Sequence, residues 1–240
     1  MSVTTRNRTS KPRRGGTAPS RRNETLTEQA YREIEEQIVT LQLKPGEFLS
    51  EYALSETLGI GRTPIREALQ RLAGEGLITI LPRKGILVSE TDPRKQLLVL
   101  EVRRELERLL CRAGAKRATE EERERFQKLA EGMDRAGKSN DDMKFMRLDR
   151  ELNVLISAAA HNAFASRAIQ LLHGHSRRFW YLHYKQAADL PLCARLHAEQ
   201  ARAIASGDAR KAAQASDRLI DYTETFTRAT VASNVRATGR

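Results

Sequence analysis

Arg62 and Arg66 stand four residues apart, one helical turn, with Thr63 and Gln70 close beside them. A guanidinium can donate two parallel hydrogen bonds to a guanine edge or clasp a phosphate, and Thr and Gln can bond either. Such a face suits the major groove of DNA. Arg83-Lys84, set between Pro82 and Gly85, puts a second basic pair on a turn, in reach of phosphates. A third cluster is Arg177-Arg178, followed by Phe179, Trp180, Tyr181 and Tyr184 in a chain that is only 5% aromatic. Arginine beside aromatic walls can hold a carboxylate in a partly dry pocket, or the rings can simply fill a core. The chain shows no nucleophile motif and no phosphate-binding loop.

The elements that must position the first face can be read from residues 50–88. Ser50 can cap a short helix whose Leu54 and Leu58 share one side. Gly59 stops it, Ile60 turns inward, and Pro64 fits the first turn of a second helix. Ile65, Leu69 and Leu72 give that helix its buried stripe, and Arg62, Thr63, Pro64, Arg66 and Gln70 fall largely off it. Gly74 and Gly76 end the helix. Leu77 to Ile80 is a strand, Pro82 to Gly85 a turn, and Ile86 to Val88 the returning strand. Helix, tight turn, helix and hairpin make a winged helix-turn-helix, and Arg62, Thr63, Pro64, Arg66, Gln70, Arg83 and Lys84 are its expected DNA contacts.

The formal net charge of +11 agrees with a polyanionic partner, but it is unevenly spread. Residues 1–23 hold seven basic side chains and no acid, whereas residues 24–90 hold seven basic and eleven acidic ones. The DNA-reading face must therefore be basic by local placement. Residues 1–24 are too polar to bury a core and are expected to form a disordered basic tail, either solubilising or a phosphate-contacting arm. No apolar run reaches the ~20 residues of a membrane span and no signal peptide is evident, which predicts a cytoplasmic protein. Cys111 and Cys193 are too few for a disulfide scaffold and read as free thiols.

From Asp92 strand signals give way to helical periodicity. Helices are expected at about 92–117, 120–136, 140–159, 163–187, 191–205 and 209–232, broken at Gly137, Asn162 and Gly207-Asp208. Leu97, Leu100, Leu106, Leu109 and Leu110 supply the core stripe of the first. The expected fold is mainly α, an N-terminal winged helix-turn-helix followed by an all-helical antiparallel bundle of six or seven helices. Domains are set at 25–90 for DNA binding and 91–232 for effector binding and dimerisation, with a flexible C-terminus at 233–240.

The run from Leu58 to Ile78, LGIGRTPIREALQRLAGEGLI, resembles the DNA-binding signature of GntR-type bacterial transcription regulators. Tyr31 to Leu41 and the turn Leu43-Lys-Pro-Gly-Glu-Phe-Leu resemble that family's first helix and turn. Gly61 departs, because the family usually has serine there, a better-bonded cap. Residues 101–107, 148–162 and 196–208 resemble the FadR-type C-terminal (FCD) domain, so the resemblance covers about residues 26–232. It implies a homodimer reading an inverted-repeat operator, and a small organic-acid effector bound in the bundle.

The resemblance also implies a metal site of one Asp and three His. Position by position these fall on Asp149, Asn153, His197 and Leu219, so only Asp149 and His197 survive as ligands. Two ligands bind weakly, and His161, His173 or His175 would have to substitute. No cofactor is expected, a divalent metal at Asp149 and His197 being the lesser alternative. In its place an anionic effector is expected at Arg103, the arginine of the E-x-R-x-x-L-E pattern, with Asp149, Asn153, His197, Arg177 and Arg178 around it. The reading is a sequence-specific, effector-controlled transcription regulator, a repressor and not an enzyme. The alternatives are a non-specific nucleic-acid-binding protein and, behind it, a metal-dependent helical-bundle enzyme.

Overall fold

The computed structural model describes residues 24–187 and 189–238. The fold is mainly α, with a winged helix-turn-helix followed by a helical bundle. The first half contains α1 (Leu26–Val39), β1 (Phe48–Leu49), α2 (Glu51–Leu58), α3 (Arg62–Gly74), β2 (Ile78–Leu81) and β3 (Gly85–Val88). Its core is one cluster built from the α1, α2 and α3 stripes, with Ile34, Ile65, Leu72 and Val88 fully buried. Ser50 caps α2 by accepting from the Ala53 N–H, and Gly59 closes it at φ 64°, where a side chain would be strained. Gly61 caps α3 with no side-chain hydrogen bond.

The sheet order is β1-β3-β2, antiparallel throughout. The hairpin pairs Ile78 with Val88 through to Leu81 with Gly85, one residue later on the outgoing strand than the sequence suggests. β1, paired as Phe48 with Leu87 and Leu49 with Ile86, was hidden in the Leu-x-Pro-Gly turn, because a two-residue strand has no periodicity to read.

The second half is α4 (Pro93–Arg117), α5 (Glu120–Ser139), α6 (Asp142–Ala159), α7 (Ala163–Ala187), α8 (Leu190–Ala205) and α9 (Ala209–Thr238). α4 packs chiefly along α9, and α5 along α8. Three expectations change. Gly137 lies inside α5, where an added Cβ would stand 2.9 Å from Ala194 Cβ, so it serves close helix packing and the helix ends at Asn140 with φ 54°. Leu109 is exposed, because α4 buries Gln96, Leu100, Arg103, Glu107 and Leu110, and two of those positions are charged. α9 runs on to Thr238, past the expected end at 232, since no Gly or Pro interrupts it before Gly239. The basic tail at 1–23 lies outside the described residues.

The halves are fastened together. Val39 of α1 joins the bundle's core cluster. An added Cβ on Gly174 of α7 would stand 2.7 Å from Leu77, and His175 Nε2 lies 2.7 Å from the Glu75 carbonyl oxygen. Among the described residues, no helix is long and apolar enough to cross a membrane.

Candidate functional site

The DNA-facing candidates come together. Arg62, Thr63, Arg66 and Gln70 are exposed on α3, Pro64 half-buried among them, and Arg83 and Lys84 are exposed at the wing tip. The wing turn closes with the Lys84 N–H donating to the Leu81 carbonyl at 3.1 Å, and Arg83 sits at φ 61°. An arginine rarely occupies that region, so the turn holds a charged side chain at a small conformational cost. Sequence reasoning missed Glu51 on α2. Arg66 donates to it through Nε at 3.1 Å and Nη2 at 2.8 Å, and Arg62 approaches it at 4.0 Å. The Arg66 hydrogen bonds lower the Glu51 pKa, so it stays ionised. Arg71 lies apart from this face: its guanidinium rests 3.7 Å above the Tyr31 ring and pairs with Glu28 at 2.9 Å.

A second site lies in the bundle, where Asp149 and Asn153 of α6, Arg177 of α7 and His197 of α8 converge. Arg177 Nε donates to Asp149 Oδ2 at 2.8 Å. Asn153 Nδ2 donates to Asp149 Oδ1 at 3.0 Å, and His197 Nε2 lies 3.3 Å from the same oxygen. His197 Nδ1 lies 2.8 Å from the Cys193 carbonyl, so both ring nitrogens face acceptors. Burial opposes an imidazolium there, but Cys193 and Asp149 outweigh it and hold the His197 pKa well above 6.5. Burial likewise opposes the Asp149 carboxylate, yet His197 and then Arg177 keep it well below the usual carboxylate range. The cavity left among these groups is only about 30 Å³, room for about one water. Trp180 lines it as one of its apolar walls.

Arg177 reaches beyond the pocket. Its Nη1 is hydrogen-bonded to Glu35 of α1, and its Nη2 donates to the Met146 carbonyl at 2.7 Å. Arg150 also bonds Glu35, at 3.2 Å, and Arg147 bonds Glu36 at 2.8 Å. One buried guanidinium thus joins a bundle carboxylate to a carboxylate of the winged half. Glu35 carried a readable signal, for it falls within the α1 stripe of Tyr31, Ile34 and Ile38.

The remaining sequence candidates divide. Arg103 lines the pocket, but its guanidinium is engaged by Glu107, which also faces His173 Nε2 at 3.6 Å. Arg178, one residue from Arg177, points away from the pocket to the linker between the halves. Leu219 lines the pocket at the fourth metal position and offers no donor atom. Among the described residues, no three His, Cys, Asp or Glu side chains converge as metal ligands. With Arg177 at one oxygen of Asp149, and Asn153 and His197 at the other, the donor set does not fit a divalent ion. Cys111 and Cys193 are free and buried.

The gntR-family model of bacterial regulatory proteins matches residues 26–88, and the FCD-domain model matches residues 98–222. An HTH-type regulator in an unstable DNA locus of Streptomyces ambofaciens is 43% identical over 65 residues, 27% of this chain and 28% of that protein. The regulator YdhC of Bacillus subtilis is 28% identical over 135 residues, 56% of this chain and 60% of the relative. McbR of Escherichia coli is 28% identical over 132 residues, 55% and 60% of the two chains. The chain thus spans between 28% and 60% of the length of these relatives. The solved structure of E. coli McbR/YncC superposes with a TM-score of 0.73 at 20% identity, over 86% of this chain and 99% of that one.

Proposed function

Because the chain belongs to the gntR family of bacterial regulatory proteins and carries an FCD domain, we propose that it is a transcriptional repressor released from its operator by a small anionic metabolite bound in the bundle pocket where α6, α7 and α8 converge. Members of the family are DNA-binding transcription regulators and not enzymes. Residues 25–90 would bind DNA and residues 91–232 the effector and a second copy of the chain. Arg62, Thr63, Pro64, Arg66, Gln70, Arg83 and Lys84 would meet an inverted-repeat operator in the cytoplasm.

The observation that carries this reading is Arg177, shared between Asp149 in the pocket and Glu35 in the winged half. The pocket is too small for a metabolite as it stands, so an effector must displace something. A carboxylate entering beside His197 would compete for Arg177 with its two present partners. Losing Arg177 would leave Glu35 half-paired, with Arg150 alone, and would loosen α1 from α7. The effector then binds the two arrangements unequally, as any shift in DNA affinity requires. Arg177 is the better first anchor than Arg103, whose charge is already met by Glu107. No resident metal is needed, since Arg177 and His197 supply the positive charge.

The test is Glu35→Gln. A thermal-shift screen of short mono- and dicarboxylic acids identifies a stabilising compound, and fluorescence anisotropy follows its effect on an operator selected in vitro. The variant should keep pocket binding and lose most of the DNA response. A full response in Glu35→Gln, or about one equivalent of transition metal in purified protein that is lost in His197→Ala, overturns the reading.

A further inference from the structure

We propose a second small-molecule site, a carboxylate site in the cleft between the wing and the bundle, anchored by Arg178. The starting point is a charge without a partner. Arg178 is 1% exposed, and among the described residues no carboxylate lies within ion-pair distance of it, the Glu90 carboxylate attracting it only from further off. The other two buried arginines are each paired, Arg103 with Glu107 and Arg177 with Asp149 and Glu35. Arg178 Nη1 donates to the Ser89 carbonyl at 2.7 Å and Nη2 to the Glu90 carbonyl at 3.2 Å, while its buried Nε has no partner. An unpaired guanidinium out of water is costly, and an anion is what satisfies it.

The space to receive one is present. Arg178 lines a cleft of about 560 Å³, within the usual size of small-molecule sites. The cleft shares no lining residue with the bundle pocket. Leu87 of the wing, Val99 of α4, and Leu172 and Phe179 of α7 give it apolar walls. The other charged or titratable groups on its walls are Lys95, Glu90, Asp92 and His175. Lys95 and Glu90 are exposed at the rim. Asp92 is occupied capping α4, accepting from the Arg94 N–H at 2.8 Å. His175 is engaged by the Glu75 carbonyl. The deep wall therefore presents one charge, that of Arg178, and the fitting ligand is a monocarboxylate on a flat apolar body. Such a ligand touches β2 and β3, the linker and α7 at once. Its carboxylate competes with the linker carbonyls of Ser89 and Glu90, so it acts on the wing's position directly rather than through Arg177.

The probe is 4-fluorobenzoate, titrated into the full chain and followed by fluorine NMR line broadening and by ring signals of labelled histidines. Binding should appear with a dissociation constant of about 1 mM or below, whereas uncharged 4-fluorobenzamide should not bind. The His175 ring in the cleft should shift, with the His197 ring in the pocket unmoved. Arg178→Gln, which keeps hydrogen-bond donors and removes the charge, should weaken binding at least about tenfold. Leu171→Glu, at the 47%-exposed rim, leaves the Arg178 contacts intact and should do the same by repulsion. No binding by the unaltered chain, equal binding by the amide, shifts at His197 instead of His175, or undiminished binding in Leu171→Glu each overturns the proposal.

Discussion

Glu51 sets what Arg66 can do before DNA arrives. It holds the Arg66 guanidinium by two donors and draws Arg62 towards the same carboxylate. The pair fixes the orientation of the fork and subtracts a charge from the DNA face. Arg62→Ala or Arg66→Ala should each weaken operator binding by about 1–3 kcal/mol and relax sequence preference. Glu51→Gln should act oppositely on unrelated DNA, strengthening it while operator binding gains less, so the specificity ratio falls. Anisotropy against selected and scrambled duplexes over a salt series measures both, and an unchanged ratio in Glu51→Gln removes Glu51 from this role. In the pocket the residue-scale test is pH. His197 titrates higher when folded, so its contribution to stability is complete below the unfolded value of about 6.5 and is lost as pH rises through the folded one. Asp149 titrates lower when folded, so its contribution is complete above about 3.8 and is lost as pH falls through the folded value. Urea unfolding of the native chain and of His197→Gln should therefore differ most near pH 5–6, with the gap closing in alkali. A gap that stays constant to high pH means His197 is neutral in the folded chain.

At the scale of elements, what the sequence disclosed depended on whether an element obeyed a period. α2, α3 and the hairpin carry caps, stripes and turn residues at fixed offsets; the two helices fold where those signals lie, and the hairpin within one residue of them. β1 is too short to show a pattern. The inward face of α4 was misjudged because Arg103 and Glu107 satisfy each other inside it, and hydrophobicity cannot see a charge cancelled across one turn. The same blindness separated Arg177 from Arg178 only when α7 was placed, since neighbours on a helix point about 100° apart. Glu35 was visible as an acid within an apolar stripe, but its partner lies 142 residues away, and distance along the chain conceals such pairs. Arg83→Gly relieves a left-handed arginine, so it should leave the winged half as stable or raise it by up to about 1 kcal/mol. It should also weaken DNA binding and lower the salt dependence by about one phosphate contact. Thermal unfolding and a salt series on one sample decide it: clear destabilisation with unaltered DNA affinity would make the turn structural.

For the whole molecule, charge and symmetry have to be weighed together. The formal +11 would favour indiscriminate binding to any polyanion, yet residues 24–90, which include the winged helix, carry more acidic than basic side chains. Bulk attraction therefore does not steer this half, and the arginines of α3 and the wing must act by placement. One winged helix touches few base pairs, too few for tight discrimination by itself. Two copies related by a two-fold axis double the contacts and make an inverted repeat the matching target. The expected assembly at micromolar concentration is a homodimer of twice the 27.1 kDa chain mass, with one dimer bound per repeat. The selected operator should be preferred over scrambled DNA by about a thousandfold or more at moderate salt. Separating the half-sites by five further base pairs puts them on opposite faces of the duplex, about half a helical turn, and should abolish most of that preference. Sedimentation with and without DNA reads the mass and the stoichiometry, and the spacing series reads the symmetry. A monomer that binds alone, indifferent to half-site spacing, would mean that each winged helix works singly.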